Sequence, residues 1–160
     1  MIITIYITCL NNADKINLLL SDLEKQSDSR FKVVVVDANS NDNTLDVLKY
    51  YEKRLNLKYI SEADNGIYFG LNKAISLIDN GHCLCLGADD RLLNEDFVSV
   101  LNKKEMKISV IYYTDLFINN GKYSRVKEYP IPAKFKKMYG GLAHLHHQTA
   151  LVPHWFLKEK

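Results

Sequence analysis

Four valines in a row, Val33 to Val36, bounded by Phe31 and Asp37, constrain the fold more than any other stretch of this sequence. Side chains on a strand alternate between its two faces, so an unbroken β-branched run needs apolar cover on both sides. Such a strand belongs in the middle of a parallel sheet with helices packed above and below it. The neighbouring segments agree. Ile2 to Cys9, Leu57 to Ile60 and His82 to Leu86 are further short apolar runs, and amphipathic stretches separate them. Ala13 to Gln26 carries Ile16, Leu19, Leu20 and Leu23 at helical spacing, and a second helix runs through Leu45, Leu48 and Tyr51, with Asn41 or Asp42 as its cap. Gly66 to Ile78 forms a third helix with Ile67, Leu71, Ala74, Ile75 and Ile78 toward the core. Strands alternating with helices in this way predict an α/β architecture of right-handed crossovers.

The pattern changes beyond Leu93. A short helix near Asp96 to Leu101 precedes two strands, Ile108 to Ile118 and Lys122 to Val126, around the turn Asn119, Asn120, Gly121. This predicts a β hairpin appended to the α/β half. From Tyr129 onward come all three prolines, the Gly140, Gly141 pair and four histidines, which predict loops, one strand near His146 to Val152 and little regular helix.

A chain of 160 residues with 47% hydrophobic content is expected to form one domain. Its net charge of +2 is too small to mark a nucleic-acid partner, and the lysines Lys122, Lys127, Lys134, Lys136 and Lys137 read as a solvated face or a weak contact for phosphate or a membrane surface. Three cysteines (Cys9, Cys83, Cys85) in apolar runs predict inert core thiols in a reducing cytoplasm. No apolar stretch approaches the roughly 18 residues that span a bilayer, and the amino terminus lacks a signal-peptide layout.

Acids stand where such a sheet binds ligands. In open α/β sheets the crevice lies outside the carboxyl ends of the strands, and Asp37 and the Asp89, Asp90 pair fall at two such ends. A carboxylate there accepts hydrogen bonds from a base or a ribose, and another can hold a divalent cation bridging phosphates. The competing reading makes Asp37 and Asp42 turn and cap residues and puts Asp89 and Asp90 at the start of an ordinary turn. No GxGxxG turn follows the first strand, where Leu10, Asn11 and Asn12 stand, which disfavours a dinucleotide-binding oxidoreductase.

The segments VDANSNDNT (Val36 to Thr44), SEADNGIYFGLNKA (Ser61 to Ala74), LGADD (Leu86 to Asp90) and HHQTA (His146 to Ala150), in this order, resemble family 2 glycosyltransferases of the GT-A fold. The likeness is strongest to the small bacterial enzymes of O-antigen (lipopolysaccharide), capsule and exopolysaccharide assembly, and it runs from about Ile2 to Pro153. It implies a Rossmann-like, mostly parallel sheet with flanking helices. Residues 1–90 would be the nucleotide-binding half and 91–160 the acceptor-side half of a single domain. Family members usually continue for many tens of residues, so the chain is expected to be a shortened member.

The resemblance also implies roles. Thr8, Asp37 and Asp64 would contact the nucleotide base, and Asp89 the ribose. Asp90, the last acid of the family's DxD-like motif, would bind Mn²⁺ or Mg²⁺. Asn72 and Lys73 match the family's NKG stretch, with Lys73 near the diphosphate or simply facing solvent. His147 and Gln148 match an HQ pair, where His147 would complete the metal shell or touch the leaving phosphate. Phe69 stands where the family commonly has an aspartate. Asp115, matching a YGD segment, is the candidate base, since the family's usual ED motif is not visible. A zinc site at His144, His146 and His147 is disfavoured by their spacing. Together these imply an inverting transfer from a nucleotide-diphosphate sugar, by family habit UDP-linked, to a glycan or lipid-linked acceptor in the cytoplasm or at the inner face of its membrane. The alternative is a catalytically silent nucleotide-binding module.

Overall fold

The computed structural model describes residues 2–107, 110–113, 128–130 and 150–158. They begin with three β/α units: β1 (Ile3–Cys9), α1 (Ala13–Glu24), β2 (Phe31–Asp37), α2 (Thr44–Glu52), β3 (Leu57–Ser61) and α3 (Ile67–Ser76). There follow β4 (His82–Gly87), α4 (Phe97–Asn102), β5 (Val110–Tyr113), β6 (Glu128–Pro130), β7 (Ala150–Pro153) and α5 (His154–Lys158). The strands form one sheet in the order β3-β2-β1-β4-β7-β5-β6. The first four are parallel, and β7, β5 and β6 each pair antiparallel with their neighbours.

The valine run does what its chemistry requires. Val33 and Val35 join one core cluster, beneath Ile16, Leu19, Leu20 and Leu23 of α1 and Leu48 of α2, while Val34 and Val36 join another with Ala74 and Ile78. All four are at most 5% exposed. Burying such a side chain contributes about 1.5–3 kcal/mol relative to leaving it in water, so this strand fixes helices on both faces. The three cysteines are buried and free. Burial pushes the Cys83 thiol up to about 12 and the Cys85 thiol up to about 11, so neither is a thiolate near neutral pH.

Two expectations need correction. Ile67 does not face the core: it is 63% exposed, because the first turn of α3 has Gly70, not Ile67, as its nearest buried residue over the sheet. The residue at the cap position of α2 is Asn43, whose side chain makes no cap bond. Asp42, one of the two residues expected to cap the helix, does that work from one position earlier, accepting from the Thr44 N–H at 2.9 Å and from the Ala13 N–H at 3.1 Å, so one carboxylate serves the first turns of both α1 and α2. β5 pairs with Glu128–Pro130, with Val110 opposite Pro130, and the expected strand Lys122 to Val126 lies outside the described residues. The predicted turn at Asn119 to Gly121 lies outside the described residues. The antiparallel pair joins the main sheet through β7, which the sequence places correctly to within a few residues, whereas α5 was not foreseen. Among the described residues no helix is long and apolar enough to cross a membrane.

The α5 segment is held by a buried histidine. His154 is 6% exposed, its backbone N–H donates to Gly81 O at 2.9 Å, and its Nε2 is buried without a hydrogen-bond partner among the described residues. Burial holds its pKa below the usual histidine value, and nearby Lys158 pushes the same way, against the Ile75 backbone and Asp79. The unfolded chain therefore takes up the proton first as pH falls. The stabilisation is fully present above about pH 6.5 and is lost as pH drops through that value toward the folded pKa. Melting temperatures recorded from pH 7.5 to 5 are expected to fall more steeply for the parent than for His154→Gln; equal slopes would remove His154 from this role.

Candidate functional site

The strand order places the switch point of the sheet between β1 and β4. From β1 the chain winds outward through β2 and β3, then returns across α3 to lay β4 on the other side of β1. Loops diverge at such a point, opening a crevice beyond the carboxyl ends of the two strands. Thr8 of β1 stands in register with Gly87 of β4, so the first candidate residue and the start of the acid pair are direct neighbours. Gly87 to Asp90 forms a tight turn. The Asp90 N–H donates to Gly87 O at 3.1 Å, and Asp90 Oδ2 accepts from the Gly87 N–H at 2.6 Å. Asp89 projects outward with its side chain 65% exposed, 4.0 Å from the Lys15 ammonium of α1.

Two more candidates meet at Gly70. A Cβ built there lies 3.1 Å from Asp64 Oδ2 and 3.1 Å from Thr8 Cγ2, so the absent side chain is what lets α3 sit between these two residues. Asp64 is fixed by accepting from the Gly66 N–H at 2.9 Å through Oδ1. Gly66 has φ of +118°, a backbone conformation that L side chains rarely adopt, and it turns the chain into α3. Asn72 and Lys73 are exposed on α3. Lys73 Nζ pairs with Glu62 Oε1 at 2.6 Å, both side chains being about half exposed. In this structure its charge faces a neighbouring carboxylate at the end of β3.

Asp37 is placed differently from the other acids. It is 0% exposed. It keeps step with Val33 and Val35, so it points to the α1–α2 face, while Thr8 keeps step with Tyr6 and points toward α3. Its carboxylate accepts from the Ser40 N–H at 3.0 Å, the Ser40 hydroxyl and the Ser61 hydroxyl at 2.6 Å, and the Cys9 thiol lies 3.6 Å away. Ser40 Oγ in turn accepts from the Asn11 N–H at 2.8 Å, and Asn11 Oδ1 accepts from the Asn41 N–H at 2.9 Å. Asn11 and Asn39 both adopt positive φ, at 50° and 62°. Asparagine tolerates that region better than most residues, and two such turns facing each other mark a loop pair held in a demanding shape. Asp37 thus ties the loops after β2 and β3 together from beneath the rim, fully buried among its donors.

Residues 4–153 match glycosyl transferase family 2. The chain belongs to that family. A PGL/p-HBAD biosynthesis glycosyltransferase of Mycobacterium tuberculosis is 33% identical over 95 residues, covering 58% of the family 2 chain and 37% of the mycobacterial protein. A Mycobacterium bovis glycosyltransferase of the same description matches equally. The chain therefore spans little more than a third of the length of these relatives. Among solved structures, S. aureus TarS residues 1–349 is 25% identical with a TM-score of 0.68, covering 76% of this chain and 37% of that one. The mannosyltransferase PcManGT of Pyrobaculum calidifontis, solved with GDP-Man and Mn²⁺, is 21% identical with a TM-score of 0.64, covering 72% and 35%, and shows the fold alone. The GT-A arrangement expected from the motifs is the arrangement found.

Among the described residues of the family 2 chain, no group of three or more His, Cys, Asp or Glu side chains could enclose a metal ion. The donor set at the rim is nonetheless of a suitable kind. Asp89 and Asp90 offer hard carboxylate oxygens at a strand end, and Mg²⁺-type ions are commonly bound through one or two carboxylates, with phosphates and water filling the shell. His147, Gln148 and Asp115 lie outside the described residues, as do His144 and His146. The motifs gave no hint of the donors around Asp37, Ser40 and Ser61, nor of a set of contacts from α1 to the segment after Asp90. Serine at a strand end carries little sequence signal of its own, although the spacing of Lys15 and Asp22 by two helical turns was there to be read.

Proposed function

We propose that this chain carries the donor-binding part of a glycosyltransferase that moves a sugar from a nucleotide diphosphate, UDP by preference, to a glycan or lipid-linked acceptor. In this reading residues 1–90 hold the nucleotide and residues 91–160 face the acceptor, in the cytoplasm and in the service of a bacterial surface polysaccharide. The supporting observation is the meeting of Thr8, Asp64 and the Asp89–Asp90 turn around the β1–β4 switch point of a family 2 chain. Thr8 and Asp64 take the base, and Asp89 the ribose. Asp90, with His147, holds Mn²⁺ or Mg²⁺, which when bound neutralises charge growing on the departing diphosphate. Asn72 and Lys73 stand on the helix beside the diphosphate, and Lys73 exchanges Glu62 for phosphate when donor binds. Transfer inverts the anomeric carbon: an acceptor hydroxyl forms the new C–O bond on the face opposite the breaking bond to the nucleotide oxygen. Asp115 accepts the hydroxyl proton.

A thermal-shift series with nucleotide sugars, with and without Mn²⁺, tests this reading. A ligand bound only by the folded state, at a hundred times its Kd, stabilises by about 2.7 kcal/mol. UDP-sugars with Mn²⁺ are expected to raise the melting temperature and to be consumed when acceptor is added. Binding without hydrolysis or transfer would favour a silent nucleotide-binding module, and no shift with any nucleotide would overturn both.

A further inference from the structure

The acid pair sits at the head of a segment with little structure of its own. Between the end of β4 and the start of α4, residues 88–96 form neither strand nor helix, so backbone ladders do not decide where Asp89 and Asp90 stand. A series of contacts reaches this segment from α1 and its end, and they come in order. Lys15 lies 4.0 Å from Asp89. Two helical turns along the same face, Asp22 accepts from Arg91 Nε at 2.6 Å and Nη2 at 2.9 Å, and its Oδ2 accepts from the Leu92 N–H at 3.2 Å. Just past the helix, the buried Gln26 amide donates to Asn94 O at 2.8 Å and accepts from the Val98 N–H at 3.1 Å, while the Ser27 N–H donates to Glu95 O at 2.7 Å.

We propose that Asp22 and Gln26 are positioning residues: the polar stripe of α1 is a rail that registers the post-β4 segment and so sets where Asp89 and Asp90 meet a diphosphate and its cation. The ligand part of this inference rests on the glycosyltransferase reading above. Asp22 is the pivot. Its side chain is 10% exposed, and it grips the two residues that immediately follow Asp90 with three donors. A bidentate arginine–carboxylate pair fixes orientation as well as distance. With the incoming side of the turn tied to β4 and the outgoing side tied to Asp22, the acid pair is held between two fixed points. Without Asp22 the turn keeps its bonds to Gly87 but loses the anchor on the two residues that follow it. Supporting residues of this kind typically change metal affinity by about 10- to 100-fold without touching the ion.

The test compares the parent chain with Asp22→Ala and the milder Asp22→Asn, first by amide hydrogen exchange and then by calorimetry. In Asp22→Ala, amides from Gly87 to Leu92 are expected to exchange about tenfold faster while those of β1 and β2 stay as in the parent. UDP affinity in the presence of Mn²⁺ falls about tenfold, and uridine affinity without metal is unchanged. Asp22→Asn, which keeps an acceptor for Leu92, falls between, and it carries the comparison alone if the alanine variant does not fold. Unchanged exchange at Gly87 to Leu92, or an equal rise across β1 and β2, would overturn the positioning role. A parent chain that binds no UDP would overturn the functional reading, and the exchange result would still decide whether α1 positions the turn.

Discussion

Replacing Asp90 with asparagine is expected to weaken Mn²⁺-dependent UDP binding by about 100-fold and to leave the melting temperature within roughly two degrees of the parent. Asparagine is isosteric, and its carbonyl oxygen can still accept the Gly87 N–H that Asp90 Oδ2 accepts at 2.6 Å, so the turn survives. What is lost is the negative charge at the strand end. A hard divalent cation held by Asp90 would depend on that charge, because a neutral amide oxygen is a much poorer ligand than a carboxylate. Calorimetric titration of UDP with and without Mn²⁺ measures the effect. Binding within threefold of the parent would show that Asp90 holds no metal, and an equal loss in the absence of Mn²⁺ would show that the damage is to the fold.

The second large effect is at Asp37, and it falls on stability. Truncation to alanine strands the Ser40 N–H and the Ser40 and Ser61 hydroxyls against a fully buried site. Buried donors left without an acceptor cost about 1–3 kcal/mol each, with partial relief as the hydroxyls rotate, so Asp37→Ala is expected to lose about 3 kcal/mol and roughly 10 °C in melting temperature. Asp37→Asn keeps one acceptor oxygen and should lose about a third as much. Thermal melts of both variants, alongside uridine titrations of the asparagine variant, separate two roles. A scaffold residue lowers the melting temperature in graded fashion with little change in uridine affinity. A base-contacting residue would do the reverse.

The contrast between Asp37 and Asp90 shows what was legible in the sequence and what was not. The succession of strands and helices and the parallel core of the sheet followed from apolar periodicity, because Val33 to Val36 admit few alternatives and α1 buries the same four residues that its spacing picks out. That both acids stand at carboxyl ends was equally plain. Which way each points was harder, since it depends on a one-residue step: Asp37 is in phase with Val35 and falls under the α1–α2 loops, whereas Thr8 falls on the α3 side. Asp64 reaches Thr8 across Gly70, whereas Asp37 lies buried beneath the rim. Ile67 was misplaced for a related reason. Periodicity identifies the face of a helix but not where the sheet beneath it ends. The grip of Asp22 on Arg91 joins residues 69 positions apart, a pairing that no local pattern announces.

The most direct test is a crystal structure of the chain with UDP and Mn²⁺. The uracil is expected beside Thr8 and Asp64, the ribose at Asp89, and the ion between Asp90 and the diphosphate, with Asp37 still bonded to Ser40 and Ser61. A nucleotide bound at the opposite, amino-terminal edge of the sheet, or an ion that leaves Asp90 untouched, would contradict the assignment of this rim as the donor site.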